Sequence, residues 1–187
     1  PTQEGLRLHF TALAENVSMP IIVYNHHGRT GVDILPKTLS QLMALPNIIG
    51  YKEAVTDASR FADLKQACGK ALLLFSGDDP TCIPFIQAGG HGVISVAANV
   101  VPAQMQMIAS ATLHGNEELA HDLQTQLTPL YEALSIESNP IAVKWMLAEM
   151  GLILAGIRLP LTPLSNCHHA AITNILKKVF LFRLGSI

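Results

Sequence analysis

The chain has 187 residues, and its 12 Lys+Arg against 14 Asp+Glu give a net charge of −2, so it carries no basic excess for nucleic acid or acidic lipid. With 49% hydrophobic and only 14% charged residues, the composition excludes a disordered chain and predicts a large core. The richest apolar stretch, Trp145 to Ile157, contains Glu149 and two glycines and falls short of the roughly 18 to 20 apolar residues that span a bilayer, so no membrane partner is expected.

Residue 1 is Pro, and Pro1-Thr2-Gln3-Glu4-Gly5 reads as a loop entering a helix, with neither a signal peptide nor a natural start. The chain is therefore expected to be a fragment. Four short apolar, β-branched segments follow: Pro20 to Asn25, Asn47 to Ala54, Ala71 to Asp79 and Gly92 to Val96. A helix-compatible stretch comes after each, which is the βα repeat of a parallel sheet. Ile21-Ile22-Val23 and Leu72-Leu73-Leu74-Phe75 are apolar at consecutive positions, predicting strands covered on both faces with helices packed outside. From Pro102 onward the pattern is helical, over Gln104 to His114, Glu117 to Leu134 and Pro140 to Met150. Asn139-Pro140 reads as an N-cap with proline at the first helical position, and Arg158 to Pro163 is too proline-rich for helix. The tail from Ser165 through Ile187 predicts one more helix with Ile172, Ile175, Leu176 and Val179 on its apolar face. Residues 1–115 are expected to form the α/β portion and 116–187 a helical extension. Cys68, Cys82 and Cys167 lie far apart in odd number, which suits reduced thiols and a cytoplasmic location better than a disulfide framework.

In parallel α/β folds ligands meet the carboxyl ends of the strands, so residues that interrupt the apolar runs there are the candidates for chemistry. Lys52 sits in Asn47-Ile48-Ile49-Gly50-Tyr51-Lys52-Glu53-Ala54, where an unpartnered ammonium is costly to bury. One reading is a Schiff-base lysine, activated by burial or nearby cations. The other is a strand-end lysine that snorkels to water or pairs with Glu53. Tyr24-Asn25-His26-His27-Gly28-Arg29-Thr30-Gly31 looks like a binding loop in which Tyr24 relays a proton and Arg29 forks onto a carboxylate, against a core tyrosine and a surface arginine. Neighbours such as His26 and His27 point to opposite sides of an extended chain, so no metal is expected. The acidic pair in Ser76-Gly77-Asp78-Asp79 is read as capping the following helix, and the glycines of Ala88-Gly89-Gly90-His91-Gly92 as permitting a tight helix-to-strand turn.

Taken in order, Tyr24-Asn25-x-x-x-Arg29-Thr30-Gly31, Ile49-Gly50-x-Lys52-Glu53-Ala54, Ser76-Gly77-Asp78-Asp79, Gly90-His91-Gly92-Val93-Ile94-Ser95 and Asn139-Pro140-Ile141-x-Val143-Lys144 resemble the dihydrodipicolinate synthase family, which stands with N-acetylneuraminate lyase among the pyruvate-dependent class I aldolases. The resemblance runs from residue 1 to about 165. It implies a TIM (β/α)8 barrel, here its last four βα units as a half-barrel, with a C-terminal helical extension. It implies condensation of pyruvate with aspartate semialdehyde to 4-hydroxy-tetrahydrodipicolinate, with no cofactor beyond a covalent imine on Lys52. Tyr24 matches the proton-relaying tyrosine, Arg29 the arginine that receives the semialdehyde carboxylate, and Gly77 and Ile94 positions lining the pyruvate pocket. Asn139 lies near the rim. His26-His27-Gly28 departs from the small apolar residue and proline common at that place, which leaves the acceptor aldehyde open.

The resemblance also implies that the chain lacks the first four strands, the threonine pair and second tyrosine of the proton relay, and the lysine-binding regulatory region. Two alternatives stand beside the synthase reading: a related pyruvate-dependent sugar-acid aldolase, and a non-catalytic half-barrel that serves as an assembly module. Four parallel strands leave two open edges, so a homo-oligomer or a missing N-terminal half-barrel is expected as partner.

Overall fold

The computed structural model describes residues 1–184 and divides into two compact units, Pro1–Ile94 and Ser95–Ile187. In the first, Thr2 caps α1 (Gln3–Asn16) by accepting the Gly5 N–H at 3.1 Å. Strands β1 (Ile21–Asn25), β2 (Ile48–Glu53), β3 (Leu73–Ser76) and β4 (Gly92–Val93) form one parallel sheet in the order β1-β2-β3-β4. Helices α2 (His27–Thr30), α3 (Pro36–Leu42), α4 (Ala58–Cys68) and α5 (Cys82–Gln87) lie in the connections. The four βα segments, their direction and their order are those predicted.

One expectation is corrected. The strands are covered on one face only, because α1, α3 and α4 all pack on the same side. Val23, Tyr51 and Leu74 are buried there with Leu39, Leu42 and Leu64, and Phe85 of α5 meets Phe61 edge-on at 4.5 Å. The alternate residues Ile22, Tyr24, Leu73 and Ile94 face the other way and are 38–43% exposed. A β-bulge modifies this alternation: Ile21 pairs with Ile48 but Ile22 with Gly50, so Ile49 is the extra residue and is left exposed.

The turn into β4 follows the glycine reading. Gly89 has φ +107, and a Cβ on Gly90 would lie 2.8 Å from the Phe85 carbonyl oxygen.

The second unit is helical, as predicted: α6 (Pro102–Leu113), α7 (Glu117–Leu134), α8 (Ile141–Glu149) and α9 (Asn166–Leu184). Asn116 caps α7 through the Leu119 N–H, with Glu117 and Glu118 complementing the helix dipole in the first turn. Ile172, Leu176 and Val179 are buried along α9, with Ile175 partly so; the end of the predicted tail, 185–187, lies outside the described residues. The predicted cap of α8 is corrected by one residue. The Asn139-Pro140 peptide is cis, the Ile141 N–H donates to the Ser138 carbonyl in a turn, and the helix begins at Ile141. No described helix is long and apolar enough to cross a membrane.

Candidate active site

The predicted residues Tyr24, Lys52, Gly77 and Ile94 come from four successive strand ends and meet at the carboxyl edge of the sheet. Tyr24 and Lys52 are register partners on β1 and β2, both on the face away from the helices. The Lys52 ammonium lies 4.1 Å from the centroid of the Tyr24 ring, a cation–π contact that takes the place of an ion pair. Burial lowers the Lys52 pKa, and the charge of Asp79 partly opposes that. The half-buried Tyr24 phenol is pushed up, chiefly by burial, with Arg29 pulling the other way.

Pairing of Lys52 with Glu53 is ruled out, since consecutive strand residues point to opposite faces. Glu53 is 1% exposed beneath the helices. Its carboxylate accepts from Arg60 Nε at 2.9 Å, Asn25 Nδ2 at 3.1 Å and the Val55 N–H at 2.9 Å.

Gly77 is where the chain must come close to Lys52. Its N–H donates to the Glu53 carbonyl at 2.7 Å, and a Cβ there would lie 3.0 Å from Lys52 Cε. Any side chain would press on the lysine stem. The Ile94 N–H donates to the Ser76 carbonyl at 2.9 Å, which extends the ladder past β4 and leaves the side chain half-exposed. The expected cap is corrected: Thr81 is the N-cap residue of α5, with no side-chain cap bond, and Asp78 instead closes the turn before the helix, accepting from the Thr81 N–H at 3.1 Å and hydroxyl at 2.6 Å. Asp79 is buried and acts electrostatically on Lys52 instead.

The loop after β1 is one short helical turn, α2, closed by Gly31 at φ +70. Arg29 is exposed on it. The ring of His26 meets that of Tyr24 edge-on at 5.8 Å, and its pKa is lowered by burial and by the Arg29 charge. Among the described residues no group of His, Cys, Asp and Glu is placed to hold a metal ion. Asn139 belongs to the second unit.

Sequence reasoning passed over Asn25, Asp33 and Arg60, which surround Glu53. Asn25 Nδ2 and Arg60 each donate to Asp33 Oδ1, at 2.7 and 2.9 Å. The period-two alternation that turns Lys52 one way turns Glu53 the other, and a buried carboxylate calls for a cation; that signal was available.

A profile of the Dihydrodipicolinate synthetase family matches residues 1–179. The chain belongs to this family. The 4-hydroxy-tetrahydrodipicolinate synthase of Alcanivorax borkumensis is 51% identical over 166 residues, covering 89% of this chain and 56% of the relative. That of Idiomarina loihiensis is 46% identical over 184 residues, covering 98% and 62%. The crystal structure of the chloride-inhibited dihydrodipicolinate synthase from Acinetobacter baumannii, complexed with pyruvate, superposes with a TM-score of 0.90 at 44% identity, over 95% of this chain and 61% of that one. The chain thus spans 56–62% of the length of these family members and has the fold of the C-terminal part of their TIM barrel.

Proposed function

We propose that the chain carries the imine-forming lysine and acceptor-binding arginine of a 4-hydroxy-tetrahydrodipicolinate synthase, a class I aldolase-type lyase of lysine and diaminopimelate biosynthesis. The observation that carries this reading is the stacking of Lys52 on Tyr24 at the strand ends, with the amine's pKa lowered by burial. Lowering the pKa raises the neutral fraction that attacks a ketone. The Lys52 amine adds to the pyruvate carbonyl and water leaves, giving the imine. Loss of a methyl proton gives the enamine, whose carbon bonds to the aldehyde carbon of aspartate semialdehyde while the aldehyde oxygen takes up a proton. The amino group of the acceptor then adds to the imine carbon, closes the ring and expels the lysine amine.

Tyr24 moves protons in these steps, Arg29 receives the acceptor carboxylate, and Gly77 and Ile94 line the pyruvate pocket. No external cofactor is needed. The barrel portion is taken as residues 1–115. The open edges at β1 and β4, and the half-exposed Ile22, Leu73 and Ile94, are covered in this reading by another copy or by preceding barrel strands, in a cytoplasmic enzyme. The test is borohydride reduction in the presence of pyruvate, followed by peptide mapping: the label falls on Lys52, and Lys52→Arg abolishes it because guanidinium keeps the charge without being a nucleophile. A label on another lysine, or none, refutes the assignment.

A further inference from the structure

The Arg29 loop leaves the sheet after Asn25 and returns at Asp33, and a set of hydrogen bonds, buried at Asn25 and Glu53 and partly exposed at Asp33, joins its two ends. Asn25 Nδ2 donates to Asp33 Oδ1 at 2.7 Å, while Asn25 Oδ1 accepts the Ile34 N–H at 3.1 Å. From α4, the Arg60 guanidinium donates to Asp33 Oδ1 at 2.9 Å, to the Ile34 carbonyl at 2.5 Å and to Glu53 Oε2 at 2.9 Å. Asn25 reaches Glu53 as well, at 3.1 Å, so both donors of the cluster, Asn25 and Arg60, also bond the residue beside Lys52. Glu53 is locked beneath the helices, which holds Lys52 on the opposite face of the strand. For stability alone such a cluster is a poor device, because apolar residues of similar volume often stabilise as well as a buried ion pair. What it supplies is direction: charge-assisted bonds from one guanidinium to three acceptors fix angles and distances that packing leaves loose.

We propose that Asn25, Asp33 and Arg60 are positioning residues that hold the Arg29 loop at a set distance from Lys52, so that a carboxylate bound by Arg29 presents its aldehyde carbon to the enamine on Lys52. This rests on the assignment of Lys52 and Arg29 above. None of the three touches substrate; they act through the loop and through Glu53.

The test is Arg60→Lys in the full-length protein. Lysine keeps a positive charge for Glu53 but cannot span Glu53, Asp33 and the Ile34 carbonyl together. The amides of Arg29, Thr30 and Gly31, which donate to the His26 and His27 carbonyls, are expected to exchange with deuterium about tenfold faster, while Val23 and Tyr51 keep their protection. The KM for the aldehyde is expected to rise about fivefold or more, with the pyruvate KM and the rate of borohydride labelling at Lys52 held within about twofold.

An unchanged loop overturns the proposal. So does equal loosening of β1 and β2, or a loss of labelling as large as the rise in KM, since either marks a merely structural role. Should Arg60→Lys fail to fold, Asp33→Ala is read by the same measurements, its side chain being 35% exposed. An unlabelled Lys52 in the parent protein refutes the lysine assignment instead, and loop exchange alone then decides for or against the clasp.

Discussion

Lys52 and Glu53 are adjacent in the chain and serve opposite faces of the sheet. The first stacks 4.1 Å from the Tyr24 ring centroid at the open face, and the second is held 2.9 Å from Arg60 beneath the helices. The Lys52 amine therefore has no carboxylate of its own strand beside it, and Asp79 is the acid that acts on it.

Imine formation should follow the titration of Lys52. Burial places its pKa below the ordinary lysine value of 10.5, and Asp79 raises it partway back. Because the neutral amine is the nucleophile, the labelling rate rises with pH through that pKa and falls as the ammonium returns at lower pH. The midpoint of a rate–pH profile should lie below 10.5, and Asp79→Asn should move it lower still. A midpoint that Asp79→Asn moves upward contradicts this account.

Tyr24→Phe keeps the ring over Lys52 but removes the hydroxyl. Turnover is expected to fall about a hundredfold, with pyruvate affinity little changed, because a proton relay acts in the transition state. Arg29→Ala should instead raise the KM for the aldehyde. Steady-state kinetics with each substrate varied in turn distinguish the two, and a kinetically silent Tyr24→Phe would make the phenol structural.

Gly77→Ala adds a Cβ 3.0 Å from Lys52 Cε and 2.9 Å from the Glu53 carbonyl oxygen. The backbone oxygen has little freedom to yield, so overpacking of about 1–3 kcal/mol is expected in denaturant titration. The lysine stem moves too, so borohydride labelling should slow by more than the loss of stability accounts for. Labelling at the parent rate would show that the stem has room.

The thiols should separate cleanly in the native protein. Cys82 is fully buried, its thiol pushed up to about 12 mainly by burial, and Cys68 is buried with its thiol also raised. Cys167 is exposed. Brief iodoacetamide treatment followed by peptide mass spectrometry should find Cys167 modified and the other two intact until denaturant is added. Early modification of Cys82 would contradict its placement in α5.

Local chemistry was enough to place the four strands and the helices of the second unit, because turn residues, caps and apolar periodicity are written within a few positions of each other. Lys52 stood out as a charge inside an apolar run and Arg29 as the guanidinium of a polar loop, whereas Gly77 was singled out only by the resemblance of the ordered blocks. The face each strand residue occupies depended on more. Alternation alone puts Ile49 with Tyr51 and Glu53, yet the bulge opposite Ile21 and Ile22 turns Ile49 out and leaves the other two buried. Consecutive apolar residues suggested two covered faces, whereas the placement of the helices on one side left Ile22, Leu73 and Ile94 half-exposed.

The cluster around Glu53 was still further from the sequence. It joins Asn25 to a residue 8 positions on and to another 28 positions on, and Asp33 to Arg60 across 27. Residue types and spacing set what each segment becomes. Only the packing of α4 into the core beside the first two strands decides that these four polar side chains satisfy one another's hydrogen bonds, because that contact is made between segments whose separation along the chain carries no period.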